Sequence, residues 1–435
     1  MQKYCLNCMQ PLEASPVCRH CGYDNHNKPQ SAKYHLRPHT LLAKRYLVGN
    51  VLGEGGFGIT YIGLDTTLSK RVAIKEFYPM GAANRYSDDS NDVIVAAGKQ
   101  EFFGTGVQRF LFEAKSVAAF SDEDGIVDVL DYFQENNTAY IVMEYLEGET
   151  LKQHVIRKGV MQPDKIIDLM LPVMKSLKAM HAKSIIHRDI SPDNIMLTKG
   201  GKLKLMDFGS ARYFTNEERQ LSIVLKHGFA PEEQYRKNSK QGPYTDIYAL
   251  CATIYACITG GVPLDSLDRL ANDELKLPSK LGINISPHKE YALMHGLALL
   301  APDRTQNMDQ LMDEFTTPRD DIQDGYDNFS QNQRTGERQN YHSSYRQRPA
   351  QKKNNAPLVI AIVLTIVAVL AVGGVISFML LSDENDRNET ATTAAPLSSY
   401  EPTEIIVATE NNPVIAETTA PRPTRQPFVF SPPTE

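Results

Sequence analysis

HRDISPDN, residues 187–194, sets Asp189 five positions ahead of Asn194, behind a His-Arg pair. Singly, Asp and Asn are most often turn or cap residues. The neighbouring stretches decide whether they do more here. Upstream, GEGGFGITYIG (residues 53–63) spaces Gly53, Gly55 and Gly58 as Gly-x-Gly-x-x-Gly. Alone that pattern is weak, because Rossmann turns and plain flexible loops share it. A Rossmann turn opens a helix, whereas residues 59–64 alternate like a returning strand. The reading is therefore a hairpin whose backbone closes over phosphates with no side chain in the way. VAIK (residues 72–75) then ends an apolar strand in Lys75, placed to grip phosphate oxygens. Downstream, LKLMDFGSARY (residues 203–213) puts Asp207 behind a short apolar run.

In this order along the chain, the motifs from about residue 46 to 315 resemble a bacterial eukaryotic-type (Hanks) serine/threonine protein kinase. The resemblance implies an α+β, bilobal protein kinase fold, a small β-rich lobe over a larger helical one with ATP between them. It implies that Lys75 holds the ATP phosphates and pairs with a helix glutamate. RFLFEAKSVAAF (residues 109–120) has helical spacing and offers Glu113; Glu101 is the competing candidate. The excess between Lys75 and that helix, PMGAANRYSDDSNDVIVAAGK, reads as an inserted loop or hairpin. TAYIVMEYLEG (residues 138–148) looks like the fifth strand and hinge. Met143 would line the back of the adenine pocket, with Ala73 and Met196 also at the nucleotide, and Glu144 and Leu146 would offer backbone groups to the base. Asp189 would take the proton of the substrate hydroxyl, while Asn194 and Asp207 would hold Mg2+ or Mn2+.

The resemblance also carries departures. Most serine/threonine kinases place a lysine two residues after the catalytic Asp, where it contacts the γ-phosphate; here that residue is Ser191. Tyrosine kinases also lack it there, and Lys75, Asp189 and Asp207 are all present, so the expectation is an active enzyme, slowed by the loss. The alternative is a pseudokinase-like scaffold that binds nucleotide and partners without efficient transfer. HGFAPEEQY (residues 227–235) offers Glu232 or Glu233 as the structural glutamate, with Glu233 favoured and Arg304 of PDRT as its partner. Leu225 or Lys226 stands where a threonine usually supports the acceptor. Asp246 of TDIYAL would brace the catalytic loop, Arg188 would meet a phosphorylated activation segment, and Thr215 and Ser222 are the candidate phosphoacceptors.

The rest of the 435 residues is read from composition. Cys5, Cys8, Cys18 and Cys21 form two Cys-x-x-Cys pairs within residues 1–25, the spacing of a structural zinc ribbon; a redox pair and unligated thiols are the alternatives. Such ribbons often carry a glycine after each pair, which Gly22 fits and Met9 does not. Residues 26–40 read as a linker, 41–316 as the kinase domain and 317–355 as a disordered juxtamembrane segment. Residues 356–381 carry no charge and are long enough for one transmembrane helix. Arg346, Arg348, Lys352 and Lys353 precede them, and Asp383, Glu384 and Asp386 follow. By the positive-inside rule the kinase domain is cytoplasmic, and the disordered, Thr/Pro/Glu-rich tail of residues 382–435 lies outside the cell membrane. The net charge of −6 argues against nucleic acid as a partner. Protein substrates stay unassigned, and tethering favours a transient homodimer for trans-autophosphorylation.

Overall fold

A computed structural model describes residues 3–27, 32–85, 90–208, 212–213, 225–236 and 238–318. Thr215, Ser222, the juxtamembrane segment, the apolar span 356–381 and the tail lie outside the described residues. Among those described, no helix is long and apolar enough to cross a membrane.

The first lobe is an antiparallel sheet with strand order β1-β2-β3-β4-β8-β7. Its strands are β1 (Leu41–Leu42), β2 (Tyr46–Gly55), β3 (Gly58–Asp65), β4 (Lys70–Phe77), β7 (Val129–Glu135) and β8 (Thr138–Glu144). Between β4 and β7 lie the short hairpin β5 (Ala83–Asn84) and β6 (Ile94–Val95) and the helix α1 (Gln100–Ala118). The expected insertion is thus a hairpin. It is pinned by Arg85, which pairs with the fully buried Glu76 at 2.5 Å, while Tyr61 and Tyr140 donate to the same carboxylate at 2.9 Å. Helix α1 buries Phe103, Val107, Phe110, Ala114 and Val117, a face recurring every three to four residues. That face is why the apolar spacing of residues 109–120 was legible as a helix.

The second lobe begins with β9 (Gly148–Thr150) and α2 (Leu151–Lys158), joined by a capping box in which Thr150 and Gln153 satisfy each other's backbone amides. Helix α3 (Pro163–Ala182) leads through β10 (Ile185–Ile186) into the loop 187–194, which the hairpin β11 (Ile195–Thr198) and β12 (Leu203–Leu205) follows. After β13 (Arg212–Tyr213), α4 (Glu232–Tyr235) and α5 (Pro243–Thr259) come α6 (Ser266–Ala271), α7 (Pro287–Gly296) and α8 (Met308–Thr316). Helix α5 is buried almost all round, Cys251 and Cys257 included, so it is the axis on which the lobe packs.

Two parts of the amino-terminal region differ from the sequence expectation. Residues 32–40, read as linker, lie against the sheet: Leu36 is buried, its amide donates to the Tyr61 hydroxyl at 3.0 Å, and Tyr34 stacks on Tyr78. One leucine and one tyrosine among polar residues were too weak a signal to show this. Met9 adopts φ +54°, close to the +73° of Gly22. The two knuckles are therefore equivalent, each closed by an amide donating to the carbonyl four residues back, Met9 to Cys5 and Gly22 to Cys18, both at 2.8 Å. The cost of a left-handed methionine is offset by burial of its side chain against Ile62 and Leu64. The knuckle is docked on β2, where Asn50 donates to the Leu6 carbonyl at 2.8 Å. A side chain at Gly49 would strike Leu6 and Met9 at 2.7 Å, so close contact requires glycine there.

Candidate active site

Each strand and loop brings one group to the cleft. The glycine-rich segment is the β2–β3 turn, with Gly55 opposite Gly58 in register. A Cβ at Gly53 or Gly55 would meet nothing within 4 Å, whereas one at Gly58 would meet the Glu76 carbonyl at 2.6 Å. Gly58 thus serves strand approach, and the other two leave the roof of the cleft bare. Glu54 at the tip is held by His35 at 2.9 Å and Tyr34 at 3.2 Å.

Lys75 lies opposite Thr60 and Ile141 in the centre of the sheet. Its ion pair is with Asp207, whereas the sequence reading paired it with Glu113. Glu113 sits on α1 close enough to bear on the Lys75 charge, while the direct ion pair goes to Asp207. Burial disfavours the ammonium form of Lys75, but Asp207 and then Glu113 raise its pKa above the usual lysine value. Glu113 is pushed up to about 8 by burial, with Lys75 pulling it back and Asp207 adding to the rise. Glu101, the alternative, is exposed on the first turn of α1.

The Glu113 shift gives a pH dependence of stability. The unfolded carboxyl loses its proton near pH 4.5 and the folded one near 8, so the folded state binds more protons between those values. Stability of the protein therefore falls as pH rises through this window. Glu113→Gln keeps the neutral shape and should melt higher than wild type above pH 8, with the difference vanishing below pH 4.5. A Tm difference independent of pH would contradict this.

In the catalytic loop, the Asn194 amide donates to the Asp189 carboxylate at 2.9 Å and to its carbonyl at 2.7 Å. Burial raises the Asp189 pKa, against the opposing pull of Lys226 and then His187. The loop is suspended from Asp246, fully buried on α5, which accepts from the amides of His187 and Arg188 and from the His181 ring, all at 2.8 Å. Although burial favours its neutral form, these donors hold Asp246 below the usual carboxylate value. Arg188 and Asp207 take left-handed backbone angles of φ +70° and +58°, a strain that concentrates where geometry is functional. Phe208 packs edge-on to the His187 ring at 4.7 Å, joining the two aspartate-bearing segments.

Ala73 and Met143 face each other in adjacent strands, and Met143 touches both lobe cores. Glu144 pairs through its side chain with Lys204 and accepts from the Asp128 amide at 2.9 Å, so that side chain is committed to the scaffold. Leu146 packs against the second core, and Met196 lies between Thr150 and Lys204 in register. Further out, Glu233 pairs with Arg304 at 2.7 Å in full burial, and Glu232 turns to Arg236 at 2.7 Å. The sequence reading did not foresee that Lys226 donates to Ser191 at 2.8 Å and lies 3.5 Å from Asp189. The signal was present as two coincident departures, a lysine lost at 191 and one gained at 226.

Far from the cleft, the sulfur atoms of Cys5, Cys8, Cys18 and Cys21 lie within 4.8 Å of one another. The Cys5–Cys21 and Cys8–Cys18 separations are 3.7 and 3.6 Å. A disulfide would need about 2.05 Å. A tetrahedral cation with sulfur bonds of about 2.3 Å gives edges of about 3.8 Å, so the four thiols fit such an ion. Against burial, the amides of Cys21 and His20 bring the Cys18 thiol down to about 7.

The family model described as Protein kinase domain matches residues 46–314. The serine/threonine-protein kinase PrkC of Bacillus subtilis is 32% identical over 229 residues, covering 52% of this chain and 32% of that protein. The serine/threonine-protein kinase PknL of Mycobacterium tuberculosis is 30% identical over 224 residues, 51% of either chain. A probable serine/threonine-protein kinase of Clostridium acetobutylicum is 28% identical over 67% of this chain and 42% of its own length. This chain thus spans about half or less of these curated relatives. Among solved structures, the one titled PpkA-294 apo form superposes with a TM-score of 0.55 at 32% identity, covering 66% of this chain and 99% of that one. The chain belongs to the protein kinase family, and residues 46–314 are its kinase domain.

Proposed function

We propose that the chain transfers the γ-phosphoryl group of ATP to serine or threonine hydroxyls of proteins from a membrane-anchored position. The observation that carries this is the convergence of Lys75, Asp189, Asn194 and Asp207 on one cleft. Lys75 would release Asp207 and take the nucleotide phosphates. Asn194 and Asp207 present hard oxygen ligands that suit Mg2+, which would neutralise phosphate charge when bound. Asp189, oriented by Asn194, would accept the proton of the incoming hydroxyl. Similarity to named serine/threonine kinases supports the acceptor class. The apolar residues 356–381 and their basic leading flank support anchoring with the kinase domain in the cytoplasm.

The four cysteines would hold a structural Zn2+, whose role is to fix the knuckles on β2 and so steady the strand that carries the glycine-rich turn. Removing the ion with a chelator should lower the Tm and speed amide exchange at Met9 and Asn50, both of which depend on the folded knuckle. Unchanged exchange at Asn50 after metal loss would contradict that role.

The full chain, incubated with γ-labelled Mg-ATP and a generic protein acceptor, tests the enzymatic reading. The label should appear in phosphoserine and phosphothreonine after acid hydrolysis. Nucleotide bound without any label transferred would instead favour a scaffold. Trans-autophosphorylation between tethered copies predicts an activation rate that rises with protein concentration.

A further inference from the structure

We propose that Lys226 supplies the cation that the catalytic loop lacks at Ser191, reaching the transferring phosphoryl group from the segment before α4. The inference rests on the phosphotransfer reading and adds a residue to it. Ser191 is fully buried, two positions after Asp189, and its hydroxyl accepts from the Lys226 ammonium at 2.8 Å. The same ammonium stands 3.5 Å from the Asp189 carboxylate. A lysine at 191 would have to put its own ammonium into this space, so a small hydroxyl there and a long cation at 226 are complementary. The serine both clears the space and anchors the visitor.

The position is over-determined by its surroundings. The Lys226 carbonyl accepts from the amides of Phe229 and Ala230, both at 3.1 Å, which fixes the turn leading to α4. Gln234 on α4 donates to the Arg188 carbonyl at 2.9 Å, binding that turn to the catalytic loop. The buried Glu233–Arg304 pair holds α4 in the lobe. The ammonium is therefore carried on a braced backbone, and about a third of the Lys226 side chain stays exposed.

Electrostatics require such a group. Transfer brings phosphate oxygens against Asp189, and like charges in a cleft of low dielectric repel strongly. In the step, the acceptor hydroxyl gives its proton to Asp189 and its oxygen bonds to the γ-phosphorus. The bond from that phosphorus to the bridging oxygen breaks, and its electron pair leaves with ADP. Lys226 stays protonated throughout, donating to the acceptor oxygen and an equatorial phosphoryl oxygen while charge passes between them.

The test compares kcat and KM for ATP in the full-length wild type, Lys226→Met, Lys226→Arg and Ser191→Lys/Lys226→Met, with Asp189→Asn as the baseline. Lys226→Met should lower kcat about a hundredfold with KM for ATP changed less than about threefold, the signature of a group acting in the transition state. Lys226→Arg should retain part of the rate. Ser191→Lys/Lys226→Met should recover at least about tenfold over Lys226→Met by returning a cation to the same space. An unchanged kcat in Lys226→Met would overturn the proposal. So would a raised one, which would make the Lys226–Asp189 contact a lock on the base, and so would failure of the double variant to recover. Wild-type transfer no faster than Asp189→Asn would instead remove the phosphotransfer reading, and this proposal with it.

Discussion

Asp207→Asn should reduce phosphoryl transfer by about three orders of magnitude while leaving the fold intact. Loss of one preorganised charge-stabilising group typically costs a hundredfold to a thousandfold in rate, and Asp207 is engaged twice, by Lys75 and by its proposed metal. Its side chain is about half exposed to the cleft, so the neutral amide creates no cavity and no buried orphan. The variant should also lose the ion pair with Lys75. Steady-state rates with Mg-ATP, beside a circular-dichroism melt, check both statements. A variant retaining a tenth of the wild-type rate would show that Asp207 is not at the reacting phosphate.

The second large effect falls on stability. Arg304→Ala should destabilise the kinase domain by about 3–5 kcal/mol, because it leaves the Glu233 carboxylate buried without its partner. Arg304 also donates at 2.9 Å to the carbonyls of Ala298, Tyr244 and Leu299, so three backbone acceptors lose a donor as well. At about 2–4 °C per kcal/mol for a domain of comparable size, the melt should drop by about 10 °C or more. Glu233→Met with Arg304→Met should recover part of that loss by removing the stranded charge, though the three carbonyls limit the recovery. A thermal melt of the three proteins decides it. A drop of only 2 °C for Arg304→Ala would mean that the pair is not the tie holding α4 to the lobe.

What the sequence revealed depended on whether the physics was local. The β2–β3 hairpin followed from glycine spacing and the strand alternation after it. Helix α1 followed from one buried face, and the cysteine cluster from paired thiols two residues apart. The partnership of Glu233 with Arg304 was likewise named from sequence, but through family resemblance, since 71 residues separate them and no local pattern joins them. The features that escaped are set by tertiary context. Whether Lys75 pairs directly with Asp207 or with Glu113 depends on how β4, α1 and the segment carrying Asp207 pack together. The left-handed turn at Met9 is tolerated only because β3 offers an apolar bed, which knuckle residues alone do not disclose. Residues 32–40 looked polar enough to be a tether, yet Tyr34 and Leu36 suffice to lay them on the sheet. Lys226 was visible as an odd residue, but its reach to Ser191 spans 35 positions and needed the fold to bring them together.

Phosphoryl transfer in the cleft containing Lys75, Asp189, Asn194 and Asp207 is the activity to be measured. The most direct measurement is the initial rate of γ-phosphate transfer at saturating Mg-ATP by wild type and Asp189→Asn, each shown to bind nucleotide equally. The wild-type rate should stand at least about a hundredfold above that of the variant, as removal of a positioned general base requires. Equal rates for the two proteins would contradict it.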